Sequence, residues 1–520
     1  MSACVDDKYD LDDIDTTTAI KINDLTIPVN VSTITLDNVL DIEDDGLIGI
    51  YTNAQGQKYY AIKQEGSFHA DPVKIKELEL KDYVTVPSLT LPIGSGTIQD
   101  ATVQFSYLIN NVDKSLEYLS YFGLNPNNRM EINLTVTPAV EMSNVQIQLP
   151  TNYVASYNGE TITGGIIPVD IIDGKMQYPI YIESMLFDPV LKPTILEQTE
   201  EHRLDITDYI GLKSATISNA SGDVTFSFTM SNFSVNVVSG AIDYLVELPV
   251  INPVELNDLP DFLTEGETTL ILENPQLYLD FSSLFGANYN TGLSISPIGV
   301  DTEVIKIPDL TFQQSIVLAP NTDDLGLSLS LDNTVKENVP DLKNILKGKG
   351  LPESIQIDMY ETSLDGEIHN MVLGTEEGID VSGSYTFFTP LSFSNGTEIL
   401  YQKKETDFFG DDVKNVLVRH FRIQSDVISE IPTDVTLEVY PLDKNGNRIK
   451  GKNGEIKGFT TVAQGSSKLD LEIAEEFSGL DGVEYAVKAD NMNGVSLSPE
   501  QTITLNNIRA TISGEYVTKL

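Results

Sequence analysis

Polar and apolar residues alternate with period two along most of the chain. Val103, Phe105 and Tyr107 alternate with Thr102, Gln104 and Ser106. Ile132, Leu134 and Val136 alternate with Glu131, Asn133 and Thr135, and Val145, Ile147 and Leu149 repeat the device. Successive strand side chains point to opposite faces, so this pattern predicts strands with one face buried and one wet. The longest run is Val224, Phe226, Phe228 and Met230, continued by Phe233, Val235 and Val237 after a one-residue slip at Ser231-Asn232. The slip predicts a β-bulge, because one added residue returns the same face to the core.

The same reading extends to both ends. Thr26–Val31 and Ser32–Leu36 alternate; Leu47–Tyr51 and Lys58–Ile62 flank Asn53-Ala54-Gln55-Gly56, a hairpin signature. Val84–Leu91 is extended, and Gly94-Ser95-Gly96 marks a boundary. Asn274–Phe281 is similar to the Asn-Pro strand starts of water-stress and late-embryogenesis-type β-sandwiches, over one strand pair. Near the C-terminus, Thr386–Leu391, Asp434–Tyr440, Gly482–Asp490 and Gln501–Glu515 are strand candidates. Asn445-Gly446 and Asn453-Gly454 signal tight turns. Residues 435–520 are expected to form a small antiparallel sandwich.

Helical signals are few. Val112–Leu119 predicts two turns, Leu191–Ile206 a longer surface helix, and Asp341–Leu346 one or two turns closed by Gly348 and Gly350. Acidic, leucine-bearing connectors follow strands at residues 36–41, 112–119, 256–263 and 338–342. They fit either a weak strand–connector–strand repeat or ordinary loops plugged by leucine. The expected fold is mainly β: multi-domain antiparallel sandwiches with a few short helices. The expected segments are 1–20 (tether), 21–95, 96–250, 251–380 and 381–520.

Composition then narrows the functional classes. The chain has 520 residues, 41% hydrophobic and 21% charged, which is globular and ample for a core. Its 78 acidic and 32 basic residues give a formal net charge of −46. Such a surface repels phosphate, which argues against nucleic-acid partners. One cysteine rules out an internal disulfide. His69, His202, His369 and His420 form no HxH or HExxH pair. No G-x-S-x-G elbow, P-loop or dinucleotide-binding glycine motif opening a helix occurs. No cofactor is expected. Calcium is a secondary candidate at Asp6–Asp13, Asp41–Gly46 and Asp443–Asn447, none of which fits an EF-hand loop. Sugar platforms favour flat aromatic faces; the chain has no tryptophan, leaving Tyr59-Tyr60, Tyr118, Tyr121-Phe122 and Phe408-Phe409.

The N-terminus carries the most specific signal. Cys4 is followed within eleven positions by six aspartates: Asp6, Asp7, Asp10, Asp12, Asp13 and Asp15. Met1-Ser2-Ala3-Cys4 resembles the end of a bacterial lipobox, and Cys4-Val5-Asp6-Asp7 resembles the acidic export signal of surface lipoproteins. The run CVDDKYDLDDIDTT, Cys4 to Thr17, is similar to the start of Bacteroidetes-type outer-membrane surface lipoproteins. That resemblance implies lipidation at Cys4, outward export through Asp6 and Asp7, and a surface-exposed location at the outer membrane. Asp15-Thr16-Thr17 resembles a short O-glycosylation acceptor, which implies modification of Thr16. A like-charged tether stays extended and holds a body off the membrane.

The function expected from these readings is non-enzymatic: a structural or binding subunit at the cell surface, held to the outer membrane by its lipid. Its further partners would be an outer-membrane protein complex or an extracellular glycan. The alternative is a carrier of lipid or another apolar ligand in a tubular β-groove. An all-β glycan-binding protein or glycosidase is a third and weaker reading.

Overall fold

The computed structural model describes residues 17–28, 33–36, 46–80, 84–93, 96–196, 200–246, 251–256, 268–281, 286–300, 303–329, 332–347, 351–378, 380–407 and 415–519, and besides these Leu40, Leu259, Pro260, Leu263 and Val413. Strands dominate, and the chain is a mainly β, multi-domain assembly of antiparallel sheets packed as sandwiches. Among the described residues the pairings are antiparallel except for Ser315–Ala319 with Val335–Asn338.

Sheets recruit strands that are far apart in sequence. Gly96–Val112 pairs along Glu201–Ser218, from His202↔Val112 to Ile217↔Gly96. This sheet packs onto a sheet of 15 strands among the described residues: Tyr107 meets Phe233 edge-on, and its hydroxyl lies 3.4 Å from that of Tyr153. The large sheet runs on through Phe233–Leu245, Ser354–Val372 and Asn288–Ile298 to Ile305–Phe312. A six-stranded sheet joins Lys58–His69 to Ser382–Pro390 and Gln276–Phe281. It meets the large sheet through Phe281, whose ring packs on Tyr289 and Phe312. The C-terminal sandwich sets Thr17–Pro28, Thr502–Lys519, Val416–Ser429 and Gly465–Ile473 against Ile399–Glu405, Gly482–Ala489, Val435–Leu442 and Gly458–Val462. Its core holds Val418, Phe421, Val439, Leu471 and Ile512.

The expected hairpin at residues 47–62 is present as Ile48–Thr52 and Lys58–His69. Asn53 Oδ1 accepts from the backbone N–H of Gln55 and Gln57, and Gly56 takes φ +81°, which suits glycine. The helical turn near Asp341 is a 3-10 helix, Pro340–Asn344, with Leu342 buried. Leu40, Leu259, Leu263, Leu342 and Leu346 are all buried, as plugs should be.

Three local expectations are corrected. Val112–Leu119 is not helical: Asp113 Oδ1 accepts from Ser115 N–H and Oγ–H, the chain turns, and Leu116–Leu124 is a strand. Its buried Leu116, Leu119 and Phe122 mimic a helical spacing because register irregularities re-phase this strand against Phe233–Leu245. Leu191–Ile206 is not a helix either. Thr194–Leu196 pairs with Glu201–Arg203, and a long ladder to Gly96–Val112 outweighs local propensity. Ser231-Asn232 is not a bulge within one ladder. Gly222–Met230 pairs with Met130–Thr137, whereas Phe233–Leu245 moves to Leu78–Leu80, Leu116–Leu124 and Ser354–Val372. The slip keeps the core face while the chain changes partners.

Glycine sits opposite an aromatic ring at three cross-strand positions: Gly66↔Tyr385, Gly383↔Phe68 and Gly292↔Tyr360. Each ring lies over its glycine, so a Cβ would come within 2.4, 2.3 and 2.3 Å of it respectively. A ring covering a strand glycine shields backbone that would otherwise be poorly packed. Gly66→Val should therefore cost about 1–3 kcal/mol by overpacking, read as a lower denaturant midpoint. Gly222→Ala, where a Cβ meets nothing within 4 Å, should stay within about 0.5 kcal/mol. Equal midpoints for the two variants would refute the role of the ring.

Candidate binding site

The leader residues Cys4, Asp6, Asp7 and Thr16 lie outside the described residues, as do Asp41–Asp45 and Phe408-Phe409. Of the cation candidates, Asp443–Asn447 is a closed turn. Asp443 Oδ1 accepts from the N–H of Asn445 and Asn447, and these bonds, the Asn447 one foremost, hold its carboxyl below the usual range. Among the described residues no group of three or more His, Cys, Asp or Glu is placed to hold a metal. Of the aromatic candidates, Tyr60 and Phe122 are fully buried. Tyr59, Tyr118 and Tyr121 are half-buried. Tyr59 belongs to a satellite core with Tyr51, Phe388 and the leucines 325, 327 and 329.

Two concavities stand out. The first is an open trough of about 570 Å³ across three neighbouring strands, lined by Ser67, His69, Asp280, Ser382 and Ser384. Asp380 takes the central place beside it: His69 Nδ1 lies 3.1 Å from Oδ1, and Ser382 Oγ donates to Oδ2 at 3.0 Å. A serine nucleophile needs the imidazole between hydroxyl and carboxylate. Here the carboxylate is in the middle, so the constellation orders the strand ends.

The second is an apolar cavity of about 110 Å³ where the C-terminal sandwich meets the rest of the chain. It is lined by buried Leu391, Phe393, Val435, Ala489, Met492 and Leu497 and by half-buried Tyr401, Tyr485, Gln501 and Ile503 among others. The wall comes from segments more than 100 residues apart, and main-chain bonds fix them. Leu497 N–H donates to Leu391 O at 2.8 Å, Gly494 N–H donates to Phe393 O at 2.8 Å, and Phe393 pairs with Val495. An apolar void of this size costs about 2–3 kcal/mol when empty. Sequence patterning marked Leu391 as the end of a strand and assigned nothing to Phe393 or Met492. A void is the space between distant segments and has no local signature.

The strands that form the cavity carry an ionic network on their other face. In Gly482–Ala489, Tyr485, Val487 and Ala489 face the cavity, while Glu484 and Lys488 face the network. Glu438 accepts from Lys457 at 2.7 Å and from Tyr440 at 2.6 Å, and Lys488 lies at 3.2 Å. Arg448 grips Glu484 with two bonds, 2.6 and 3.1 Å, and stacks 3.8 Å over the Tyr440 ring. Burial pushes the Glu438 carboxyl up, but the donors from Lys457, Tyr440 and Lys488 prevail and hold it at about 2, against an ordinary 4.5.

No known protein family matches the chain, and no curated protein matches it. Among solved structures it is similar to a protein of Parabacteroides distasonis ATCC 8503 whose name describes it as secreted. That likeness covers 54% of this chain and 90% of that one, at 17% identity and a TM-score of 0.38. A Sulfolobus turreted icosahedral virus structure covers 85% and 92%, at 10% identity and a TM-score of 0.10. These likenesses are too weak to bear on function.

The network predicts an acid limit for the C-terminal sandwich. A carboxyl held below its unfolded value stabilises fully above about pH 4.5 and loses that contribution as pH falls through about 2. The melting temperature should drop across this window. Glu438→Gln should lower it at pH 7 and flatten the drop; an unchanged pH slope in the variant would remove Glu438 from the account.

Proposed function

We propose that the protein is a non-enzymatic surface lipoprotein of the bacterial outer membrane, attached through Cys4, acting as a binding or structural subunit of an envelope assembly. One observation carries the reading. The acidic Cys4 leader runs directly into the strand Thr17–Pro28, which is zipped to the C-terminal strand from Thr17↔Lys519 to Pro28↔Arg509. The tether thus leaves from one end of the C-terminal sandwich. The apolar cavity lies at the other end of the same strand, beside Ile503. At about 3.4 Å per residue, the two ends are roughly 50 Å apart along an extended strand. An attachment point and a binding feature at opposite poles suit a body that is held at one side and presents the other. The lipid tether supplies stable attachment at about 0.8 kcal/mol per buried CH₂.

The test is fractionation of the full-length protein in a Bacteroidetes host. The wild type should sediment with the outer membrane and be cleaved by protease added to intact cells. Cys4→Ala should lose the membrane association, and Asp6→Ala with Asp7→Ala should lose protease access while keeping the lipid. A Cys4→Ala protein that still sediments with the outer membrane would overturn the anchor.

A further inference from the structure

We propose that the apolar cavity beside the C-terminal sandwich binds one ring-sized or short-alkyl apolar group of a small molecule, an inference that gives the binding role above its ligand chemistry. Its buried lining residues are all apolar, and among the described residues no charged side chain lines the cavity. Thr35, Tyr401, Tyr485 and Gln501, its polar lining residues among those described, are half-buried, and the Gln501 amide donates to Ser496 O and accepts from Ser498 N–H. A lining this apolar fits an apolar group of a ligand.

The size sets the class. A dry apolar cavity of about 150 Å³ takes benzene in another protein, and here the volume is about 110 Å³. The smaller volume sets an upper limit of one six-membered ring or a short alkyl chain and is too small for a long acyl chain along its whole length. The walls are framed rather than collapsible. Leu391, Phe393 and Leu497 are locked by their main-chain bonds, and the opposite wall stands on strands whose reverse face is pinned by Glu438 and Glu484. Methionine is the core side chain best able to fill irregular space. Met492 lines the cavity and leaves it open.

The experiment uses the purified, unlipidated full chain with benzene and hexan-1-ol as probes, followed by ligand-observed NMR titration and by thermal melting. Both probes should bind saturably at one site, compete with each other and raise the melting temperature. Val435→Phe puts a ring into the space. It should weaken both probes at least about tenfold while leaving the melting temperature unchanged or higher. If Val435→Phe does not fold, Ala489→Leu is held to the same outcome. Absence of saturable binding, or variants that bind like the wild type, overturns the proposal. Because the assay is in solution, its failure leaves the membrane anchor untouched, and failure of the fractionation test leaves the cavity untouched.

Discussion

Strand pairing between remote segments is the constraint on which the rest of this fold depends. Thr17–Pro28 finds its partner in Thr502–Lys519, and Lys58–His69 finds Ser382–Pro390. Neither early segment can bury its apolar face until the late one is present. Loop closure across hundreds of residues must precede the contacts that reward it, which makes such topologies slow to form and cooperative once formed. The sheets so made are shared among the sequence segments, and this brings Leu391, Val435 and Met492 to one cavity.

Period two lets a single strand serve two environments. Gly482–Ala489 turns Val487 and Ala489 toward the cavity and Glu484 and Lys488 toward the ionic network. Val435–Leu442 does the same, with Val435 on one side and Glu438 and Tyr440 on the other. A network of this kind gives modest net stability because desolvation opposes the attraction. Its value is directional: satisfied charges on one face hold the backbone so that the opposite face keeps its shape.

The architecture was largely legible in the sequence because alternation is a local signal with a direct physical cause. Phe105, Ile132, Val224 and Phe226 are buried where their spacing placed them. The failures came where tertiary context overrode the local pattern. Leu116, Leu119 and Phe122 carry a helical spacing that register irregularities produce in a strand. The polar run around Glu201 is a strand because Gly96–Val112 pairs with it. The pairs Gly66–Tyr385 and Gly383–Phe68 were out of reach, since each joins residues more than 300 positions apart. The cavity was equally out of reach, being a property of no single segment.

The clasp between the two terminal strands also has a mechanical meaning. A strand drawn along its own axis loads its cross-strand bonds together, in shear, whereas a strand peeled sideways gives them up one by one. Thr17 opens the strand, so a pull at Thr17 along the strand axis would load the ladder from Thr17↔Lys519 onward in shear. The register break between Ile22 and Leu25 divides that ladder into two clamps, and the one nearer the leader takes the load first. Resistance to detachment is then a matter of unfolding rate under force rather than of equilibrium stability.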